Sequence, residues 1–191
     1  EYTHCEGIAS YLGCRTEGGI YQRLLGPSPE AGATVLALTT ACRWRNWPIA
    51  NFLQVAKTFP ERRFVTVGFA REVLSEEQAA FDELIALPNV VNRLDRLNLL
   101  ELIRLIAHAP AVLTNDTSTA HIANAFNRPG AVLFGPENSR VFASPTGLRV
   151  FHDESCPFHP CIQWTCRNPS EWCMTRITAV AVIEYFKSLR G

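Results

Sequence analysis

The stretch TNDTSTAHIANAF, positions 114–126, concentrates groups that can hold an anion: Asp116, Thr117, Ser118, Thr119 and His121. It follows the apolar run APAVL and leads into small residues with helical spacing. At a strand-to-helix junction, the unbonded amides of the first helical turn and the positive end of the helix dipole attract phosphate. Small hydroxyls add directed hydrogen bonds. Asp116 is placed to cap the helix, with Thr117, Ser118 and Thr119 near its first free amides. His121 lies one turn in, on the side of Thr117 and Ser118. A lone helical histidine is more often a packing residue, but these neighbours raise the odds of a ligand contact.

Three further segments end apolar runs in the same way. TVLALTT leads to Thr39 and Thr40, then Arg43 and Arg45. Hydroxyls followed by guanidinium groups suit a diphosphate, because guanidinium grips phosphate oxygens as a fork. RFVTVGF leads to Glu72, where a carboxylate could accept from both hydroxyls of a ribose. GAVLFG ends at Gly135 and Pro136, and Gly135 permits close backbone approach. Each loop alone reads as an ordinary polar turn. Four at one edge of one sheet carry more weight.

A second constellation is Cys156, Cys161, Cys166 and Cys173, separated by four, four and six residues. Four thiolates could close a tetrahedral zinc or iron site, with His152 and His159 as substitute ligands. The Cys-x-x-Cys spacing of strong metal motifs is missing. Free thiols, disulfides, or anchoring by Phe158, Trp164 and Trp172 are the alternatives. The expectation is a structural metal that tethers a long loop, remote from the anion site. Of seven cysteines, Cys5, Cys14 and Cys42 are scattered and read as idle thiols of a reducing compartment.

Positioning these loops requires alternating elements. Short buried strands are predicted at TVLALTT, RFVTVGF, NVVNRL, AVLTN, GAVLFG and LRVFH. Helices are predicted at WPIANFLQVAKTF, with Pro48 in its first turn, and at SEEQAAFDELIAL, with Ser75 as N-cap. NLLELIRLIAHA, TSTAHIANAFN and ITAVAVIEYFKSL complete the set. The pattern is α/β: a Rossmann-like parallel sheet with helices on both faces and ligands at the strands' carboxyl ends. The start, EYTHCEGIASYLGC, lacks Met and reads as a helix in progress, so the chain is expected to begin inside a larger protein. The expected organisation is a linker helix and loop over 1–30, a Rossmann-like ligand-binding domain over 31–150, and a Cys-rich loop with closing helix over 151–191. Eighteen Lys plus Arg balance 18 Asp plus Glu, so no global field attracts nucleic acid. No apolar run approaches the ~20 residues of a membrane span.

These motifs resemble glycosyltransferase family nine, the ADP-heptose-type transferases that include the lipopolysaccharide heptosyltransferases. TNDTSTAHIANAFNRPGAVLFGP is similar to its Asp-Thr-Gly, His, Phe-Gly-Pro signature. TTACRWRNWP resembles its Thr-rich loop with Lys-x-Trp-Pro, VGFARE its Gly-x-x-x-Glu turn, and CIQWTCRNPSEWCMTRI a Cys-rich tail of many members. The resemblance implies the carboxyl-terminal half of a GT-B enzyme, with 31–150 as its nucleotide-sugar-binding domain and with the presumed base and the acceptor site in an amino-terminal domain. By position it implies that Thr39 and Thr40 contact donor phosphates and that Arg45 takes the place of the family lysine. Glu72 would bind ribose, and Asp116, Thr117, Ser118 and His121 would surround the diphosphate and sugar. Ser118 departs from the family glycine, and Arg45 from the lysine. The implied donor is an ADP-activated heptose or related sugar, and the implied acceptor a glycan such as lipopolysaccharide core. No cofactor is required for the chemistry. The implied location is cytoplasmic, at most peripheral at the inner face of the inner membrane. Two rival readings stay open: a non-catalytic nucleotide-sugar-binding or assembly module, and a sugar-nucleotide epimerase of the same architecture.

Overall fold

The computed structural model describes residues 26–143, 147–161 and 165–189. The expected helix within residues 1–25, with Cys5 and Cys14, lies outside them, as does Trp164. Among the described residues six strands form one sheet: β1 (Thr34–Ala37), β2 (Phe64–Val67), β3 (Val90–Asn92), β4 (Val112–Asn115), β5 (Gly130–Phe134) and β6 (Leu148–His152). Their order is β3-β2-β1-β4-β5-β6, and every pairing is parallel. The helices between them are α1 (Ile49–Thr58), α2 (Gln78–Ala86), α3 (Leu99–Ala107), α4 (Ser118–Ala125) and the short α5 (Ser139–Phe142). After β6 come α6 (Cys173–Arg176) and α7 (Ala179–Ser188).

Both faces of the sheet are covered, so the strands read as continuous apolar runs rather than alternating ones. Alternate residues still feed different cores. Leu36, Phe64, Leu113 and Leu133 meet α1, α2 and α7 through Phe52, Leu84, Ile183 and Phe186. Val35, Val65, Val112 and Val132 meet α3 and α4 through Leu105, Ile106, Ala120 and Ala123. The chain leaves β1 toward the first face and β4 toward the second. The carboxyl ends of these neighbouring strands therefore splay apart, the switch point at which such sheets bind ligands.

Two helix starts differ from expectation. Ser75 is not an N-cap: it begins a 3-10 turn, Ser75–Glu77, and makes no capping bond before α2. Its neighbour Glu77 serves another helix, accepting from the Ile49 amide of α1 at 2.8 Å, where Pro48 brings no donor of its own. The start of α3 is a capping box in which Asn98 and Glu101 exchange side-chain and backbone bonds.

Candidate functional site

An open cleft of about 290 Å³ lies over the carboxyl ends of β1, β2 and β4. Its wall contains seven of the eight anticipated donor residues: Thr39, Thr40, Arg45, Glu72, Asp116, Thr117 and Ser118. His121 is the exception. It is exposed on α4 and off the wall, although its charge still acts on Asp116. Arg43 also turns away, pairing with Glu76 at 2.7 Å and stacking over Trp44.

The loop after β1 is held from several sides. Thr39 Oγ1 donates to Glu72 Oε2 at 3.0 Å and accepts from the Phe69 amide at 3.3 Å. This joins the hydroxyl to the anticipated ribose carboxylate across the β1 and β2 ends. Gly68 makes that approach feasible: its φ is +133°, and a Cβ there would lie 2.6 Å from Thr39 Oγ1. The Thr40 hydroxyl is spent within its own turn, donating to the Cys42 carbonyl at 2.7 Å and accepting from the Cys42 amide at 3.1 Å. Thr40 thus shapes the loop, and its free amide is used as well, donating to Asn46 Oδ1 at 2.8 Å.

Asn115 and Glu137, not anticipated as site residues, organise the rest. Asn115 is fully buried where β1 and β4 part. Its Nδ2 donates to the Leu38 carbonyl at 2.9 Å and its Oδ1 accepts from the Trp47 amide at 3.0 Å. Its only signal in sequence is a polar residue ending an apolar strand. Glu137, buried just beyond the Gly135-Pro136 turn, pairs with Arg45 through a short contact. Arg45 also comes within 4.0 Å of Asp116.

Asp116 is not the helix cap. Thr117 is, its hydroxyl accepting from the Thr119 amide at 3.3 Å. Asp116 instead sits buried in the cleft wall, and burial raises its pKa above the ordinary 3.8. Arg45 works against that rise, Glu137 reinforces it, and His121 opposes it. Among the described residues Arg45 is thus the one cation on the cleft wall, which also carries Glu72 and Asp116, while its partner Glu137 is a third acid beside it. A bound diphosphate would depend heavily on Arg45 and on the amide end of α4.

The cysteine segment is not remote. Cys156, Cys161, Cys166, Cys173 and His159 line one small cavity of about 20 Å³, together with Trp44, Pro136 and Trp172. Trp44 and Pro136 are chain neighbours of Arg45 and Glu137. Trp44 meets Trp172 edge to face at 5.8 Å, and the Cys161 amide donates to the Pro136 carbonyl at 3.1 Å. A Cβ on Gly135 would lie 2.9 Å from Met174, so this glycine's close approach is to the tail. The tail adjoins the cleft because its own aromatic groups pack on the loop after β1. No disulfide joins the described cysteines. Burial and the three neighbouring thiols push Cys173 up to about 12. His159 Nε2 is buried without a hydrogen-bond partner. The donor set suits zinc or iron chemically, yet no three His, Cys, Asp or Glu side chains of the described residues sit close enough to hold one ion. His152 is engaged elsewhere, 3.2 Å from Ser139 Oγ.

A doubly covered parallel sheet in the order 3-2-1-4-5-6, with acids, hydroxyls and an arginine at its switch point, defines a doubly wound α/β domain with a candidate ligand site at that point. The model of glycosyltransferase family 9 (heptosyltransferase) matches residues 22–169. The chain belongs to that family. It is 28% identical over 145 residues to lipopolysaccharide heptosyltransferase 1 of Pseudomonas aeruginosa, covering 74% of this chain and 40% of that protein. It is 35% identical over 97 residues to lipooligosaccharide heptosyltransferase 2 of Haemophilus influenzae, covering 48% and 28%. The E. coli heptosyltransferase WaaC with ADP-2-deoxy-2-fluoro heptose shares the fold at a TM-score of 0.66 and 19% identity, covering 98% of this chain and 56% of that one. E. coli ADP-heptose lps heptosyltransferase II gives 0.64 at 21% identity, covering 91% and 50%. The chain thus spans 40% or less of these curated relatives and about half of the solved structures.

Proposed function

We propose that this chain is the donor-binding half of a heptosyltransferase-type enzyme and takes an ADP-activated heptose or related sugar. The observation that carries the reading is the convergence of Arg45, the Thr39–Glu72 pair and the Thr117-capped start of α4 on one cleft. In this reading the diphosphate lies between Arg45 and the α4 amides, and the ribose hydroxyls meet Glu72. Breaking the sugar–diphosphate bond builds negative charge on the leaving group. A fixed guanidinium and fixed helix amides stabilise that charge more as it grows, which lowers the barrier. The acceptor, a glycan such as lipopolysaccharide core, and the base that activates it belong to an amino-terminal domain in this reading. No helix of the described residues is long and apolar enough to cross a membrane. A cytoplasmic location, at most peripheral to the inner membrane, fits an enzyme that uses a nucleotide sugar.

The thiol cavity is proposed to hold one structural zinc or iron, which would require the cysteines to draw inward from their present spacing. Such an ion would tie the tail to the loop after β1 and supply no step of the transfer.

Isothermal calorimetry with a panel of nucleoside diphosphates tests the donor reading. ADP should bind weakly but in preference to the others. Equal binding by every base, or none by any, would count against an ADP-type donor.

A further inference from the structure

We infer that Phe69 is the platform on which the donor's nucleobase stacks, with Arg71 steadying the ring. This rests on the nucleotide reading above and extends it from the diphosphate and ribose to the base.

Phe69 is a large apolar side chain that is 48% exposed. Exposed apolar residues need no explanation when scattered. This one is the sole aromatic group among the described residues on the cleft wall. Its backbone is also fixed unusually well for a surface turn. The Phe69 amide donates to Thr39 Oγ1 at 3.3 Å, and its carbonyl accepts from the Glu72 amide at 3.0 Å. The next amide, Ala70, donates to Asp95 Oδ2 at 3.1 Å, while the Asp95 amide donates to the Gly68 carbonyl at 3.1 Å. The chain therefore holds an apolar ring in water on a braced support. The Arg71 guanidinium lies over one face of the ring, 4.7 Å from its centroid, a cation–π contact that favours this placement of the ring.

The order of groups along the cleft follows the sheet. Asp116, Thr117 and Ser118 stand at the β4 end and Arg45 over β1, which makes this the diphosphate side. Glu72 and Phe69 stand at the β2 end, three residues apart on one 3-10 turn. A ribose held by Glu72 directs its base away from the diphosphate, toward the wall that Phe69 forms with Leu102 of α3 and Val67. A purine presents a flat apolar face and suits both the ring and the aliphatic side chains beside it. Stacking makes no demand on base-edge hydrogen bonds, so Phe69 would contribute affinity for flat bases in general, and more for purines than for pyrimidines.

Three forms of the 191-residue chain test this: wild type, Phe69→Ala and Phe69→Trp. Each is titrated with ADP, UDP and inorganic pyrophosphate, the last a probe without a base. Wild type should bind ADP more tightly than either UDP or pyrophosphate. Phe69→Ala should bind ADP roughly 10-fold more weakly, by the usual loss for one stacked base. Its pyrophosphate affinity should match wild type. Phe69→Trp should restore ADP binding to within about 2-fold of wild type. Unchanged ADP binding in Phe69→Ala would overturn the platform, as would equal losses for ADP and pyrophosphate. If wild type prefers ADP to both UDP and pyrophosphate but Phe69→Ala keeps that preference, only this inference fails; if wild type binds pyrophosphate and ADP equally, the base is not held and the ADP-type donor fails too. If wild type binds neither, the nucleotide reading fails with it.

Discussion

Arg45 is predicted to serve two masters, and a double substitution separates them. Its guanidinium is the only cation on the cleft wall among the described residues, and it is also the partner of buried Glu137. Removing one member of a fully buried pair costs about 3–5 kcal/mol, because the other is left uncompensated. Here the arginine side chain is 34% exposed and the glutamate 7%, so water screens part of the loss. Arg45→Ala should therefore destabilise the fold by roughly 1–2 kcal/mol, read from denaturant midpoints. In the proposed donor complex the same change would also remove a charged hydrogen bond to the diphosphate, worth about 1.5–3 kcal/mol, or roughly 10–150-fold in ADP affinity. Adding Glu137→Gln to Arg45→Ala removes the orphaned charge. Stability should return most of the way, while ADP binding stays weak. An Arg45→Ala chain as stable as wild type and equally able to bind ADP would refute both roles. Recovery of binding together with stability would show that Arg45 acts only through the fold.

Four further outcomes are expected. Gly68→Ala should cost about 1–3 kcal/mol from its positive φ alone and should weaken ADP binding as the new Cβ displaces Thr39 Oγ1; a neutral effect on both would contradict the close approach described. Burial raises Asp116 above its ordinary 3.8, so its contribution to stability is full below that value and is lost as pH rises through the folded one. Asp116→Asn should accordingly be more stable than wild type at about pH 7 and level with it near about pH 3, and denaturation at both pH values showing the opposite order would refute this. The 191-residue chain should not transfer sugar on its own, since the proposed reading puts the wall that orients the acceptor in an amino-terminal domain; efficient turnover by the purified chain would end the half-enzyme reading. Elemental analysis of untagged protein should find one zinc or iron per chain, lost in Cys161→Ser, and metal-free protein whose four clustered thiols all react freely in the native state would refute the metal.

The strands and most helices were legible because each is marked locally. Runs such as VLAL and FVTV signal a doubly buried strand, and Asn98 with Glu101 signals a helix start within four residues. The site was legible in its residue types because four strand ends must share one edge of a parallel sheet. What escaped was set by partners far away in the chain. Arg45 and Glu137 are 92 residues apart, Asn115 and Leu38 77, Ile49 and Glu77 28. No local pattern reveals such pairings. Asp116 and Thr117 are both good caps by propensity, and only the burial of the aspartate in the cleft wall decides for threonine. The tail was expected to stand apart because its prolines and cysteines read as a loop, whereas the contact of Trp172 with Trp44 folds it against the site.

The buried Asn115 has a thermodynamic consequence. Where two parallel strands part, the backbone between them loses its ladder and would ordinarily be completed by solvent or by a ligand. Here one amide side chain completes it from within, bonded on both of its atoms to main-chain groups of the neighbouring segment. The floor of the cleft is thus in place before anything enters. A ligand arriving there need not order it, so the entropy lost on binding should come from the ligand itself and from the outer groups, Arg45 and the Phe69 ring. Amide exchange would reveal the division directly: the Trp47 amide should exchange as slowly as the core strands whether or not nucleotide is present, while the amides of the cleft rim should slow only when it binds.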